Sequence, residues 1–305
     1  MVAAKGGSRM FKKTLEDHVV DILVYSFMFF FSIITILPFL NVIAISLNEA
    51  MDTFKGGITF FPRRLTIANY KVVFQNSNII NAYIISIFRT FFGTALSMIF
   101  NSTTAYVLSK KYIKVRRHIM VFLVTTILFN GGIVPYYILL RNLKLINNIL
   151  VYIIPGIYNV FNILIFRTYF ENIPVSLEES ARIDGAVDLE IMIKIIFPLS
   201  FPVFAALALF SGVGLWNDWF TGEFYINSPR LWTAQNYLLK VLQENALKDN
   251  IDKYRAVSNS NEGLRVSPES VRMAVIVVVC LPIMCIYPFL QKYFVKGVLI
   301  GAVKE

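Results

Sequence analysis

Apolar residues in this chain are gathered into six runs, each long enough to cross the roughly 20-residue hydrocarbon core of a bilayer. The pattern predicts spans at about Val19 to Leu47, Ile79 to Leu108, Ile119 to Leu140, Ile149 to Phe166, Ile191 to Trp216 and Val271 to Phe294. Polar residues concentrate between these runs, and several of the runs hold helix-breaking residues. Gly131, Gly132 and Pro135 break the third, and Pro155-Gly156 kinks the fourth. Pro198 and Pro202 lie in the fifth, Pro282 and Pro288 in the sixth. Prolines at such depth are tolerated where neighbouring helices satisfy the freed carbonyls, so the spans are expected to form a packed bundle. The first run is much longer than the roughly 7–15 residues of a signal-peptide core, and no small-residue cleavage site follows it, so it is read as a helix.

Basic residues beside short loops set the expected orientation. Lys5, Arg9, Lys12 and Lys13 precede the first span; Lys110, Lys111, Lys114, Arg116 and Arg117 crowd the link between the second and third. Six spans then put both termini in the cytoplasm, consistent with Lys292, Lys296 and Lys304 near the C-terminus. The outward segments are longer, about 48–78 and 217–270, and the second is expected to hold a short helix around Leu231 to Leu242. The whole chain, 1–305, reads as one transmembrane domain without internal repeats, low-complexity tracts or a separate soluble unit.

Composition agrees with the pattern. Hydrophobic residues make up 56% of the 305 and charged residues only 16%, against about 25% charged in soluble domains. The net charge of +10 does not point to nucleic acid, because the basic residues flank apolar runs rather than forming a stripe interleaved with aromatics. Cys280 and Cys285 sit five apart in one apolar run, on different helix faces, which supports neither a disulfide nor a metal site.

One segment between spans differs from a simple link. Glu171 to Glu190 contains Ser176, a candidate helix cap, then Glu178 and Glu179 in the first turn, and Asp184-Gly185 where a helix should stop. A short amphipathic helix, a turn and a new helix entering the membrane are expected. By physics alone this is equally a solvated surface turn.

Spacing separates the two readings. Glu179-Ser180-Ala181, then Gly185, then Ile195, Phe197 and Pro198 resemble the signature of ABC importer permeases: Glu-Ala-Ala, three residues, Gly, nine residues, Ile-x-Leu-Pro. Ser180 and Phe197 depart from it, as small-for-small and apolar-for-apolar changes. Ile173-Pro174 and Ile183-Asp184-Gly185-Ala186 are similar to the carbohydrate-importer branch of that family. So are Phe61-Pro62 with Asn69-Tyr70, Gly131-Gly132 with Pro135-Tyr136, Trp216-Asn217-Asp218-Trp219, and the tail from Gln291 to Lys304. These pieces cover most of the chain in order and match the maltose-type second permease.

The resemblance implies an all-α membrane protein of the type I ABC importer permease fold, and a non-catalytic subunit. It implies a coupling role towards a cytoplasmic ATPase for Glu178, Glu179, Ser180, Ala181, Asp184 and Gly185, with Gly185 permitting the turn and Glu179 pairing with the ATPase. Partners would be a second, homologous permease, two ATP-binding subunits and an extracytoplasmic solute-binding protein. The long outer segment, at Lys253 to Arg265, would reach that binding protein. No cofactor of its own is implied, ATP being bound by the partner subunits. The chain's details are similar to permeases for oligosaccharides from plant or algal polysaccharides, uronate-containing sugars such as alginate fragments among them.

Other classes find less support. Ion-coupled transporters often carry carboxylates at membrane depth, and none of the six runs has an Asp or Glu away from its ends. No phosphate-binding Gly-rich loop and no Ser-His-Asp or Cys-His arrangement suggests catalysis, and His18 and His118 read as interfacial anchors. Arg89 is an intramembrane charge, hence a functional candidate, but a structural role such as pairing with a helix-end carbonyl is favoured. Arg272 is an outer-interface anchor. Asn101, Asn130, Asn159 and Asn162 either bond between helices or line a sugar path, and the first is the safer reading.

Overall fold

The computed structural model describes residues 15–129, 131–243 and 267–302. Three helices are long and apolar enough to cross a membrane by themselves: α1 (Leu15–Ser46), α3 (Ser77–Ser109) and α12 (Pro268–Ala302). Three further candidates are broken. α4 (Arg116–Leu128) and α5 (Ile133–Asn142) flank the Gly131–Gly132 break, and Gly132, at φ +82°, takes a conformation that side chains resist. Two 3₁₀ turns (Ile149–Tyr152 and Ile154–Gly156) meet α6 (Val160–Glu171) at 42°. α8 (Asp188–Leu199) meets α9 (Phe201–Asn217) at 80°. The breaks at Gly131–Gly132, Pro155–Gly156 and Pro198–Pro202 are therefore found, whereas α12 runs unbroken through Pro282 and Pro288, and the fifth run is bent far more than a pair of prolines in one helix suggests. The physical reason is local. Pro198 and Pro202 remove two backbone donors four residues apart, Met192–Ile196 has widened into a π-turn, and Ser200 sits at the bend.

α3 is the central post, packed against both α6 and α9, while α1 leans on α12. Bonds between helices replace water for its polar residues. Asn101 donates to Ser97 Oγ (2.7 Å) and to the Ile157 carbonyl (3.1 Å), and its own carbonyl accepts from the Asn159 amide (2.9 Å). Asn159 in turn caps α6, and Asn162 donates to Ser211 Oγ (3.1 Å). The inter-helix reading holds for Asn101 and Asn162, whereas the Asn159 side chain caps its own helix; Asn130 lies outside the described residues.

The segments expected as outer loops are more built than their polarity suggested. Asn48 binds Asp52, Thr53 and the Arg64 amide, and Asn69 holds the carbonyls of Ser46 and Asn48. These contacts turn 46–69 into a tight cap that seats α2 (Ala68–Gln75). The first part of 217–270 folds as α10 (Phe220–Tyr225) and α11 (Ala234–Leu242), and Ala234, Tyr237 and Val241 are buried against α3 and α12. Gly222 is required there. A Cβ would lie 1.8 Å from Asn236 Oδ1, and Asn236 donates to the Trp219 carbonyl (2.7 Å) to hold α10 and α11 together. Lys253 to Arg265 lies outside the described residues.

Candidate functional site

At one end of the bundle, α7 (Val175–Ile183) stands off the body of the protein between α6 and α8. Pro174, at φ −57° and ψ 125°, occupies its N-cap position with no side-chain cap, so Ser176 is an exposed residue of the first turn and not the cap expected from the sequence. Its C-terminus is closed as expected. Gly185 adopts φ +85°; its amide donates to the Arg182 carbonyl (3.0 Å) and the Ala186 amide reaches back to the Ala181 carbonyl (2.9 Å). These two bonds form a Schellman stop, accompanied by the usual apolar contact between its ends. Ala181 and Ala186 provide it, within the cluster formed by Tyr106, Phe166, Phe170, Ile191 and Ile196.

The six residues implied in coupling divide into an outer and an inner set. Glu179, Ser180, Asp184 and Gly185 are exposed, and Glu179 makes no ion pair or hydrogen bond to another described residue. Ala181 is buried, facing the bundle. Glu178 also turns inward, where both its oxygens take the ammonium of Lys110. Lys110 is itself buried and lies 3.9 Å from the centre of the Tyr106 ring. This pair fastens α7 to the end of α3. Arg182, beside it, is held above its ordinary pKa by the Tyr112 hydroxyl and the Asp188 carboxylate, and stays a cation at any physiological pH. Its bond to Asp188 (2.7 Å) is exposed on both sides and adds little stability.

Farther along the bundle, α3, α5, the 3₁₀ turns and α9–α10 enclose a cavity of about 470 Å³. Arg89 lines it, almost wholly buried. Its guanidinium binds the Asp218 carboxylate and, at 2.9 Å, the Asp218 carbonyl just past the end of α9, and lies 4.6 Å from the centre of the Tyr152 ring. The structural role favoured for Arg89, bonding to a helix-end carbonyl, is thus what the structure places there. Sequence reasoning missed its carboxylate partner. The signal was available: an arginine in an apolar run needs a counter-charge, and Asp218 adjoins the end of another run. The Lys110–Glu178 pair was missed in the same way.

The family described as "Binding-protein-dependent transport system inner membrane component" matches residues 114–300, well over half of the chain and including α7, its stop and the bend at Ser200. The chain belongs to this family.

Membership in the binding-protein-dependent permeases makes it an inner-membrane transport component and not an enzyme. Relatives agree along the whole length. The polygalacturonan/rhamnogalacturonan transport system permease protein YtcP of Bacillus subtilis (strain 168) is 35% identical over 95% of this chain and 100% of its own. Protein LplC of the same bacterium is 39% identical over 89% of this chain and 90% of its own. A chain in the crystal structure of a bacterial ABC transporter involved in the import of the acidic polysaccharide alginate superposes with a TM-score of 0.86, at 29% identity, over 93% of this chain and 99% of that one. The type I ABC importer permease fold expected from the resemblance is therefore the fold of this chain.

Proposed function

We propose that this chain is one of two permease subunits in an ATP-driven, binding-protein-dependent importer of oligosaccharides, with acidic fragments of plant or algal polysaccharides as the substrate class. The observation that carries the reading is α7: the family's signature spacing falls on an exposed helix with a rigid stop, anchored to the bundle by Lys110–Glu178. The polygalacturonan and alginate transporters among the similar proteins support the substrate class. Six spans, three of them bent, would place both termini and α7 in the cytoplasm and 48–78 and 217–270 outside. Glu179, Ser180, Asp184 and Gly185 would contact the ATPase directly, with Glu178 and Ala181 seating the helix from behind. The remaining partners would be a homologous permease, two ATP-binding subunits and a solute-binding protein. ATP closure would draw α7 and its counterpart on the second permease together, and the rigid link to α3 would turn the bundle outward to receive the sugar.

Uptake into proteoliposomes tests this. With all subunits present, labelled oligogalacturonides or alginate oligosaccharides are expected to enter only when both ATP and the binding protein are supplied. Uptake that survives omission of the ATPase and collapses with an ionophore would instead identify an ion-coupled transporter.

A further inference from the structure

The cavity around Arg89 has the size of a small-molecule site, and its walls have a particular chemistry. Its volume of about 470 Å³ falls within the roughly 300–1,000 Å³ typical of ligand pockets. Aromatic rings make up much of the wall. Tyr136 of α5 is 38% exposed and meets Tyr225 in a T-shaped contact with ring centres 5.9 Å apart, while Phe220 packs against Tyr225 at 6.1 Å. The polar part of the wall is the Arg89–Asp218 pair.

Asp218 is not saturated by the protein. Its Oδ2 accepts from Arg89 and from the Thr221 hydroxyl (2.5 Å), and its Oδ1 accepts only the Thr221 amide (3.1 Å). A carboxylate has about four acceptor positions, so one remains on Oδ1, in a side chain 27% exposed at the cavity. Arg89 brings a second unmet group, since its Nε is buried without a partner. The charges of the pair cancel, so the pair adds no net charge against the carboxylate of a uronate ring. It brings aromatic rings and a charge-assisted hydroxyl acceptor into one cavity, which suits a pyranose: the C–H face of the sugar would lie on Tyr136 and a hydroxyl would donate to Asp218.

We propose that this cavity is a saccharide subsite contributed by this subunit, with Tyr136 as the stacking platform and Asp218, held by Arg89, as the hydroxyl acceptor. The subsite rests on the carbohydrate reading above and extends it to named residues. It would hold one sugar ring after release from the binding protein and keep it from slipping back while the bundle reorients.

The decisive quantity is the number of saccharide molecules imported per ATP hydrolysed, because misassembly lowers both rates together and leaves their ratio alone. In proteoliposomes of the whole complex fed alginate oligosaccharides or oligogalacturonides, Tyr136→Ala is expected to lower that ratio roughly five- to tenfold, the loss of one aromatic contact. Tyr136→Phe, which keeps the ring, should retain at least half of it. Leu139→Ala, at an exposed site on the same helix away from the cavity, should leave the ratio at the wild-type value. A wild-type ratio in Tyr136→Ala, or an equal fall in Tyr136→Phe or Leu139→Ala, would overturn the subsite while leaving the carbohydrate reading intact. Failure of the wild-type complex to import any saccharide would overturn both.

Discussion

Replacing Gly185 with proline abolishes transport while the subunit still inserts into the membrane. Proline fixes φ near −65°, whereas residue 185 sits at +85°, and the substitution also deletes the amide that donates to the Arg182 carbonyl. The Schellman stop cannot form, so α7 loses its angle to α8. The bundle itself is spared, because Gly185 is exposed and no atom lies within 4 Å of where its Cβ would be. Gly185→Ala is the graded control, with strain of about 1–2 kcal/mol from the left-handed backbone and a partial loss of uptake. Glu179→Lys approaches the same interface without touching the fold. Its side chain has no partner among the described residues, so its folding cost should stay within about 0.5 kcal/mol. Reversing its charge should nevertheless remove at least nine-tenths of uptake, roughly the 1.4 kcal/mol that corresponds to tenfold. Initial uptake rates and binding-protein-stimulated ATP hydrolysis, measured at matched subunit content, report both. Normal import by Gly185→Pro and Glu179→Lys alike would remove the coupling role from α7.

The second large effect falls on stability. Arg89→Met leaves the Asp218 carboxylate facing a largely buried site without its counter-charge, which costs about 3–5 kcal/mol when one partner of a buried pair is removed. The single variant should therefore lower the melting temperature of the detergent-purified complex by several degrees. Adding Asp218→Asn should recover most of that loss, since the amide still meets Thr221 and no charge is stranded. A double variant no more stable than Arg89→Met would show that the two residues act independently.

What the sequence discloses here follows the range over which each feature is encoded. Six apolar runs are a local signal, and each appears as a helix or a broken pair close to where it was expected. The stop at Gly185 is also local, because few residues other than glycine accept its backbone angle. Ser176 shows the limit of such reasoning: it is the cap expected from the sequence, but Pro174, whose ring fixes φ, takes the N-cap position two residues earlier. Features that join distant residues are only partly legible. Arg89 finds Asp218 across 129 positions and Lys110 finds Glu178 across 68; each charge signals that it needs a partner but does not single that partner out among several candidates. The 80° bend at Ser200 is cooperative in the same sense, arising from two prolines and a π-turn acting together. The polar composition of 217–270 hid the burial of α11, whose apolar face only becomes evident beside α3 and α12.

The account stands on α7 facing the ATP side of the membrane, and side-specific labelling addresses that most directly. With Cys280 and Cys285 replaced by serine, Ser180→Cys places a single reactive group on the exposed face of α7. A membrane-impermeant maleimide should label it in inside-out vesicles and not in intact cells, and the assembled ATPase subunits should shield it. Labelling from outside the cell would contradict the orientation and the coupling role together.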